Sequence, residues 1–163
     1  MKTDYYKLAY LGLFTALACI LGYVEGLIPI SIGIPGIKLG LANLAVLYIL
    51  IRYTWREAAL VSVIRILVVG FLFGSAATII YSLAGAALSL ALMTLAHRKL
   101  DFSVIFVSIV GGVSHNIGQL LIAIYVAQTA ALIYYAPVLL IAGIITGLLV
   151  GIVTQETLKR VRF

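Results

Sequence analysis

Two sets of polar residues stand inside apolar runs, where they can do recognition chemistry that hydrocarbon cannot. Arg65 lies within SVIRILVVG, a run with no acidic residue. A guanidinium stays protonated, so inside a membrane it requires an anion, carbonyl oxygens or water. Its burial costs at least about 2.5–3.5 kcal/mol on insertion scales. The second set lies in GGVSHNIGQL, Gly111–Leu120. Gly112, His115 and Gln119 fall about one helical turn apart and share a face, with Asn116 beside it. Asn43 and Tyr81 add hydrogen-bonding groups near the starts of two other apolar runs, and Glu25 and Lys38 flank the segment between the first two.

Each group has a structural and a functional reading. Arg65 pairs with Glu25 and locks two helices, or it meets an anionic group on a ligand, or it snorkels to the outer surface. His115, Asn116 and Gln119 join helices by hydrogen bonds, or they line a binding site that neighbouring glycines leave open. Proton transfer through His115 lacks a second titratable group nearby in sequence.

Other chemistries have no residues to carry them. No G-x-x-x-x-G-K-[ST] pattern is present, so the chain does not use ATP by itself. No His/Cys cluster has metal-ligand spacing. The only aspartates are Asp4 and Asp101, whereas prenyl-transferring synthases hold magnesium and diphosphate with aspartate-rich clusters. We expect no enzyme activity in the chain alone and no cofactor. Cys19 is the only cysteine, so no intramolecular disulfide can form.

The elements that position these groups must lie in lipid. The chain has 163 residues, 64% hydrophobic and 10% charged, with mean hydropathy +1.24. Soluble domains carry about 25% charged residues. We therefore expect an all-α integral membrane protein in one domain, residues 1–163. Apolar runs at Leu8–Val24, Leu39–Ile51, Ala58–Phe73, Ala76–Ala96, Ser103–Ala127 and Pro137–Thr154 predict six spans. The second run is short for a bilayer, so it either sits inside the bundle or ends in irregular backbone lining a cavity. Alternatively, runs two and three form a re-entrant pair, which leaves four full spans. No signal-peptide cleavage pattern follows MKTDYYK, so the first run is read as a retained helix.

The formal charge of +6 does not build a nucleic-acid-reading element, because the basic residues lie in short patches between apolar runs. Nine of the eleven Lys and Arg residues fall on one side of a six-span topology: Lys2, Lys7, Arg52, Arg56, Arg98, Lys99, Lys159, Arg160 and Arg162. The positive-inside rule then puts both termini in the cytoplasm of a cell-membrane protein. Tyr5, Tyr6, Tyr53 and Trp55 mark the inner interface, and Tyr134 and Tyr135 the outer one. Gly26–Lys38, with Pro29 and Pro35, becomes the long outer connection, read as a lid over the bundle's mouth or as a plain connector.

Small residues supply close packing, because lipid gives helices no hydrophobic drive to associate. Gly143, Gly147 and Gly151 recur every fourth residue, as do Ala87 with Ala91 and Gly12 with Ala16. We expect the first two stripes to join helices within the chain. The Gly12–Ala16 stripe is the candidate for docking a partner subunit.

KLGLANLAVLYIL (Lys38–Leu50), RILVVGFLFGS (Arg65–Ser75), YSLAGAALSLALM (Tyr81–Met93) and GGVSHNIGQL, in that order, resemble the Gx transporter family. That family is also labelled heptaprenyl diphosphate synthase component I. It is similar in turn to the substrate-binding S components of energy-coupling factor (ECF) transporters. This likeness implies a six-helix bundle with a lid-like first outer loop that binds a small micronutrient. It also implies partners, a transmembrane T component and two cytoplasmic ATPases. S components often dock through Ala-x-x-x-Ala on helix one, where this chain has Gly12-x-x-x-Ala16. The alternative reading is a non-catalytic membrane accessory subunit of prenyl diphosphate or quinone metabolism, and a ligand-free scaffold is a third.

Overall fold

A computed structural model describes residues 2–27 and 40–161, with side chains from residue 5 onward. The described chain is all helical. α1 spans Lys2–Leu27, α2 Leu41–Arg52, α3 Trp55–Phe73, α4 Ala76–Arg98, α5 Val104–Ala127 and α6 Ala136–Arg160, with a 3-10 turn at Ala130–Tyr135 before α6. α1, α4, α5 and α6 are long and apolar enough to cross a membrane. The molecule is thus a multi-pass membrane protein. Of the segment expected as a lid, Gly26–Lys38, the first two residues, Gly26 and Leu27, belong to α1. The rest of it, with Lys38, lies outside the described residues.

Local chemistry sets the helix ends. Thr54 caps α3 by accepting the Arg56 N–H. Ser75 and Thr78 form a reciprocal capping box at the start of α4, which satisfies two amides that the first turn leaves open. Ser103 accepts the Phe106 N–H at the start of α5. Pro137 falls in the first turn of α6, where a missing N–H costs nothing, and Lys159 and Arg160 meet the negative end of its dipole.

α2 is the central element. At about 1.5 Å per residue its 12 residues rise only about 18 Å, well short of a bilayer. Ala42 and the whole stretch Ala45–Leu50 are buried. α2 packs against α1, α3 and α6, while α3, α4, α5 and α6 pack in sequence around it. The core gathers Ala45, Val46, Ile49 and Leu50 from α2 with Val61, Met93, Val107 and Val150 from its neighbours. Tyr48 is also fully buried and stacks on Phe14 of α1 at 4.5 Å. A helix too short for lipid is thus solvated by protein.

The glycine stripe of α6 lies against α5. A Cβ on Gly143, Gly147 or Gly151 would lie 2.9 Å or less from the backbone of Val113, Ile109 or Ile105 on α5. The Ala87–Ala91 stripe expected to join helices has no such contact, because both residues are exposed. α4 instead presents Gly85, Ser89 and Met93 inward, and the Ser89 hydroxyl donates to the Gly111 carbonyl of α5 at 2.9 Å. The rule of small residues held for α4, but the sequence reading chose the wrong face. Gly12 and Ala16 are exposed, and a Cβ on Gly12 would meet open space.

Candidate functional site

The polar residues gather where the end of α1, the start of α2 and the middle of α3 converge. Gly40, at φ 71° in the left-handed region that favours glycine, starts α2. Its N–H donates to the Glu25 carboxylate of α1 in a short hydrogen bond. An anion suits this place because a helix N-terminus presents unpaired amides and a positive partial charge. Asn43, in the first turn of α2, accepts from Arg65 Nη2 at 3.4 Å. Glu25 and Arg65 thus both attach to the head of α2. They act on each other through charge but form no direct ion pair among the described residues, so the direct lock between them is replaced by two contacts to α2. The Arg65 Nε is buried and has no hydrogen-bond partner among the described residues.

Two voids adjoin this cluster, and a third lies farther along α4 and α5. The largest, about 440 Å³, lies between α1, α3 and α4, and Glu25, Arg65, Thr78 and Ser82 line its polar side. Tyr23 and Phe73 add rings 4.3 Å apart on its apolar side. A small inner void of about 40 Å³ brings Glu25, Asn43 and Arg65 together with Ser82, His115, Asn116 and Thr146. A third, about 260 Å³, lies against α4, α5 and α6 and is lined by Tyr81, Asn116, Gln119, Tyr135 and several apolar residues.

The residues singled out in the sequence therefore divide. Arg65, Glu25, Asn43, His115 and Asn116 meet around the inner void. Tyr81 and Gln119 face the third void, which Asn116 shares. Asn116 also donates its amide to the Leu139 carbonyl at 2.8 Å, tying α5 to α6, so the helix-joining reading holds for this bond. His115 and Gln119 pack against Gly85 of α4, where a Cβ would sit 3.0 Å from His115 Cε1 and 2.8 Å from Gln119 Cγ. The room for these side chains comes from α4. Gly112 does not provide it, because a Cβ there would collide with the Gly143 carbonyl of α6.

Sequence reading missed Ser82, Thr78 and Thr146, as well as the ring pair Tyr23–Phe73. Ser82 adjoins Tyr81 and Thr146 adjoins Gly147, so polarity within an apolar run was the available signal. Tyr23 and Phe73 lie fifty residues apart and carried none. Among the described residues no group of three His, Cys, Asp or Glu side chains could hold a metal ion.

No curated protein and no solved structure matches the chain. The family model described as heptaprenyl diphosphate synthase component I, the Gx transporter family, matches residues 14–157. That stretch runs from α1 to the last turns of α6 and includes every polar residue around the inner void. The chain belongs to the heptaprenyl diphosphate synthase component I family.

Proposed function

We propose that the protein is the substrate-binding membrane subunit of an ATP-driven uptake system of the ECF type. The observation that carries this reading is the buried Arg65 Nε beside a cavity of about 440 Å³. Arg65 has one 3.4 Å hydrogen bond to Asn43, and a buried charge left so little compensated is costly. A ligand anion in the cavity would offset that charge. Glu25 and Asn43 hold the head of α2 in place beside the ligand, and Ser82 and His115 supply directional contacts at the inner void. Tyr81 and Gln119 would contact substrate only if it also reaches the third void.

The six-helix order supports a six-span topology with both termini cytoplasmic. α2 and α3 would then cross as a hairpin buried in the bundle, and the Glu25–Arg65 cluster would open outward beneath residues 26–38, with Lys38 as a further candidate contact. Gly12 and Ala16, exposed on α1, offer the smooth surface for a T component. ATP hydrolysis would belong to two cytoplasmic partner subunits. A second reading, a non-catalytic accessory subunit of prenyl diphosphate or quinone metabolism, is favoured by the family's description alone.

Gentle purification followed by mass spectrometry of both proteins and small molecules separates the two. A T component, ATPases and a bound small molecule are expected. A soluble prenyl synthase as the sole stoichiometric partner, with no small molecule retained, would favour the accessory reading instead.

A further inference from the structure

The basic end of the bundle holds a cluster that the cavity beside Arg65 does not use. α2 ends at Arg52, α3 begins with Trp55 and Arg56, and α4 ends at Arg98, followed by Lys99. Arg98 Nη2 donates to the Tyr53 carbonyl at 3.5 Å, which brings the end of α4 to the turn between α2 and α3. The Arg56 guanidinium lies over the Trp55 ring, 5.6 Å from its centroid. Arg52, Arg56, Arg98 and Lys99 are all exposed. Arg56, Arg98 and Lys99 form no ion pair among the described residues. Two carboxylates stand close in sequence. Glu57 is held by Lys7 and Thr54, and Asp101, two residues past Lys99, is a single charge against four. Like charges gathered in this way favour an anion, and guanidinium forks match phosphate oxygens.

The surface leading away from these cations is apolar. Trp55 is 46% exposed, and its amphipathic ring suits the depth of lipid headgroups. Thr94, Ala91 and Ala87 precede Arg98 by four, seven and eleven residues and so share its face of α4. Ala91 and Ala87 are exposed, and their short side chains leave room along the helix. On α3, Leu60 and Val63 follow Arg56 at helical spacing and are 54% and 42% exposed. A soluble anion uses only the charges, whereas an anion with an apolar tail uses both surfaces. Arg56 stands nine residues before Arg65, about 14 Å along α3, so this corner is separate from the cavity.

We propose that the corner between the α2–α3 turn and the end of α4 binds one anionic phospholipid. Its phosphate lies between Arg56 and Arg98, with Arg52 and Lys99 adding charge, and an acyl chain runs along Ala91 and Ala87. The proposal stands apart from the uptake reading and holds for either orientation of the chain.

The test is native mass spectrometry of the full chain in a mild detergent, titrated with phosphatidylglycerol and phosphatidylcholine of matched acyl chains. One phosphatidylglycerol is expected to bind before any phosphatidylcholine. Arg56→Gln and Arg98→Gln should each lower its affinity by about fivefold, because a Lys or Arg near an anionic lipid surface is worth about 1 kcal/mol. Arg56 contacts only a neighbouring ring among the described residues, so its variant should fold even if Arg98→Gln loosens the turn. Lys159→Gln, at the end of α6, should leave the affinity unchanged. Ala91→Leu should weaken binding with every charge in place. Equal binding of the two lipids, or equal losses in Lys159→Gln and Arg56→Gln, would overturn the site in favour of diffuse attraction. Displacement of the lipid by excess inorganic phosphate would overturn the lipid as occupant in favour of a soluble anion. Full binding in Ala91→Leu would overturn the path of the acyl chain.

Discussion

Arg65 and Tyr48 pose opposite problems at the level of single residues. Arg65 carries a charge that the described protein only partly satisfies, and its replacement should act on binding before stability. Arg65→Gln should abolish retention of the native small molecule while the ligand-free protein keeps or gains thermal stability. Mass spectrometry and a melting curve on the same preparation check both halves. Tyr48 carries a neutral hydroxyl that is fully buried and has no partner. An unsatisfied buried hydroxyl is a cost, so Tyr48→Phe should be neutral or stabilising by up to about 1 kcal/mol. A marked loss of stability would mean that the hydroxyl has a role the stacking on Phe14 does not explain. Glu57 is a third case, ahead of the span at the basic end of α3. The Lys7 ammonium, 2.5 Å away, holds its carboxyl down to about 2, with help from the Thr54 hydroxyl. A depressed carboxylate pKa contributes stability above the unfolded value of about 4.3, lost as pH falls towards the folded value. Lys7→Met should reduce that acid-side dependence, leaving the part due to Thr54, and cost about 0.2–1 kcal/mol near neutral pH, the usual range for a partly exposed pair. Melting curves between pH 3 and pH 7 read the difference.

At the level of helices, glycine position decides which faces meet. Gly147 touches the backbone of α5 while Gly12 faces open space. Gly147→Leu should force α5 and α6 apart and cost at least about 1–3 kcal/mol. Gly12→Leu should leave the fold intact, and loss of a copurifying T component in that variant would mark α1 as the docking helix. Thermal denaturation with size-exclusion chromatography distinguishes the outcomes. Much of this level was legible in the sequence, because apolar runs broken by Arg52, Thr54, Gly74, Ser75, Arg98 and Pro137 gave the helix order. The face of α4 was not. Both its small-residue stripes fit a four-residue period, and only the depth of Met93 and Ser89 against Gly111 selects Gly85 over Ala87. The same limit applied to the candidate site. Polar residues in apolar runs were visible singly, but their division between two larger voids depends on how α4 and α5 interlock at Gly85 and Gly118.

For the whole molecule, the proposed six-span topology predicts where its ends and loops lie. A reporter fused after Phe163 should be cytoplasmic, and one inserted after Gln128 should be external. An external C-terminus would reverse the placement of the Arg65 cluster and end the uptake reading. The exposed small-residue stripe lies on α1, which also lines the cavity of about 440 Å³ through Gly22, Glu25 and Gly26. A partner that pulls on α1 would therefore act on the wall of the proposed ligand site.

The burial of α2 also sets an order of events during synthesis. α2 is made second, yet Val107 of α5 and Val150 of α6 belong to the cluster that encloses it. Until α6 has emerged from the ribosome, this short helix lacks part of the only solvent it has. The nascent chain must hold an unfinished core through most of its translation, and the last helix closes it. Chains that stop before α6 should be degraded rather than accumulate as a shorter stable bundle, which pulse-chase labelling of a chain ending at Tyr135 would reveal.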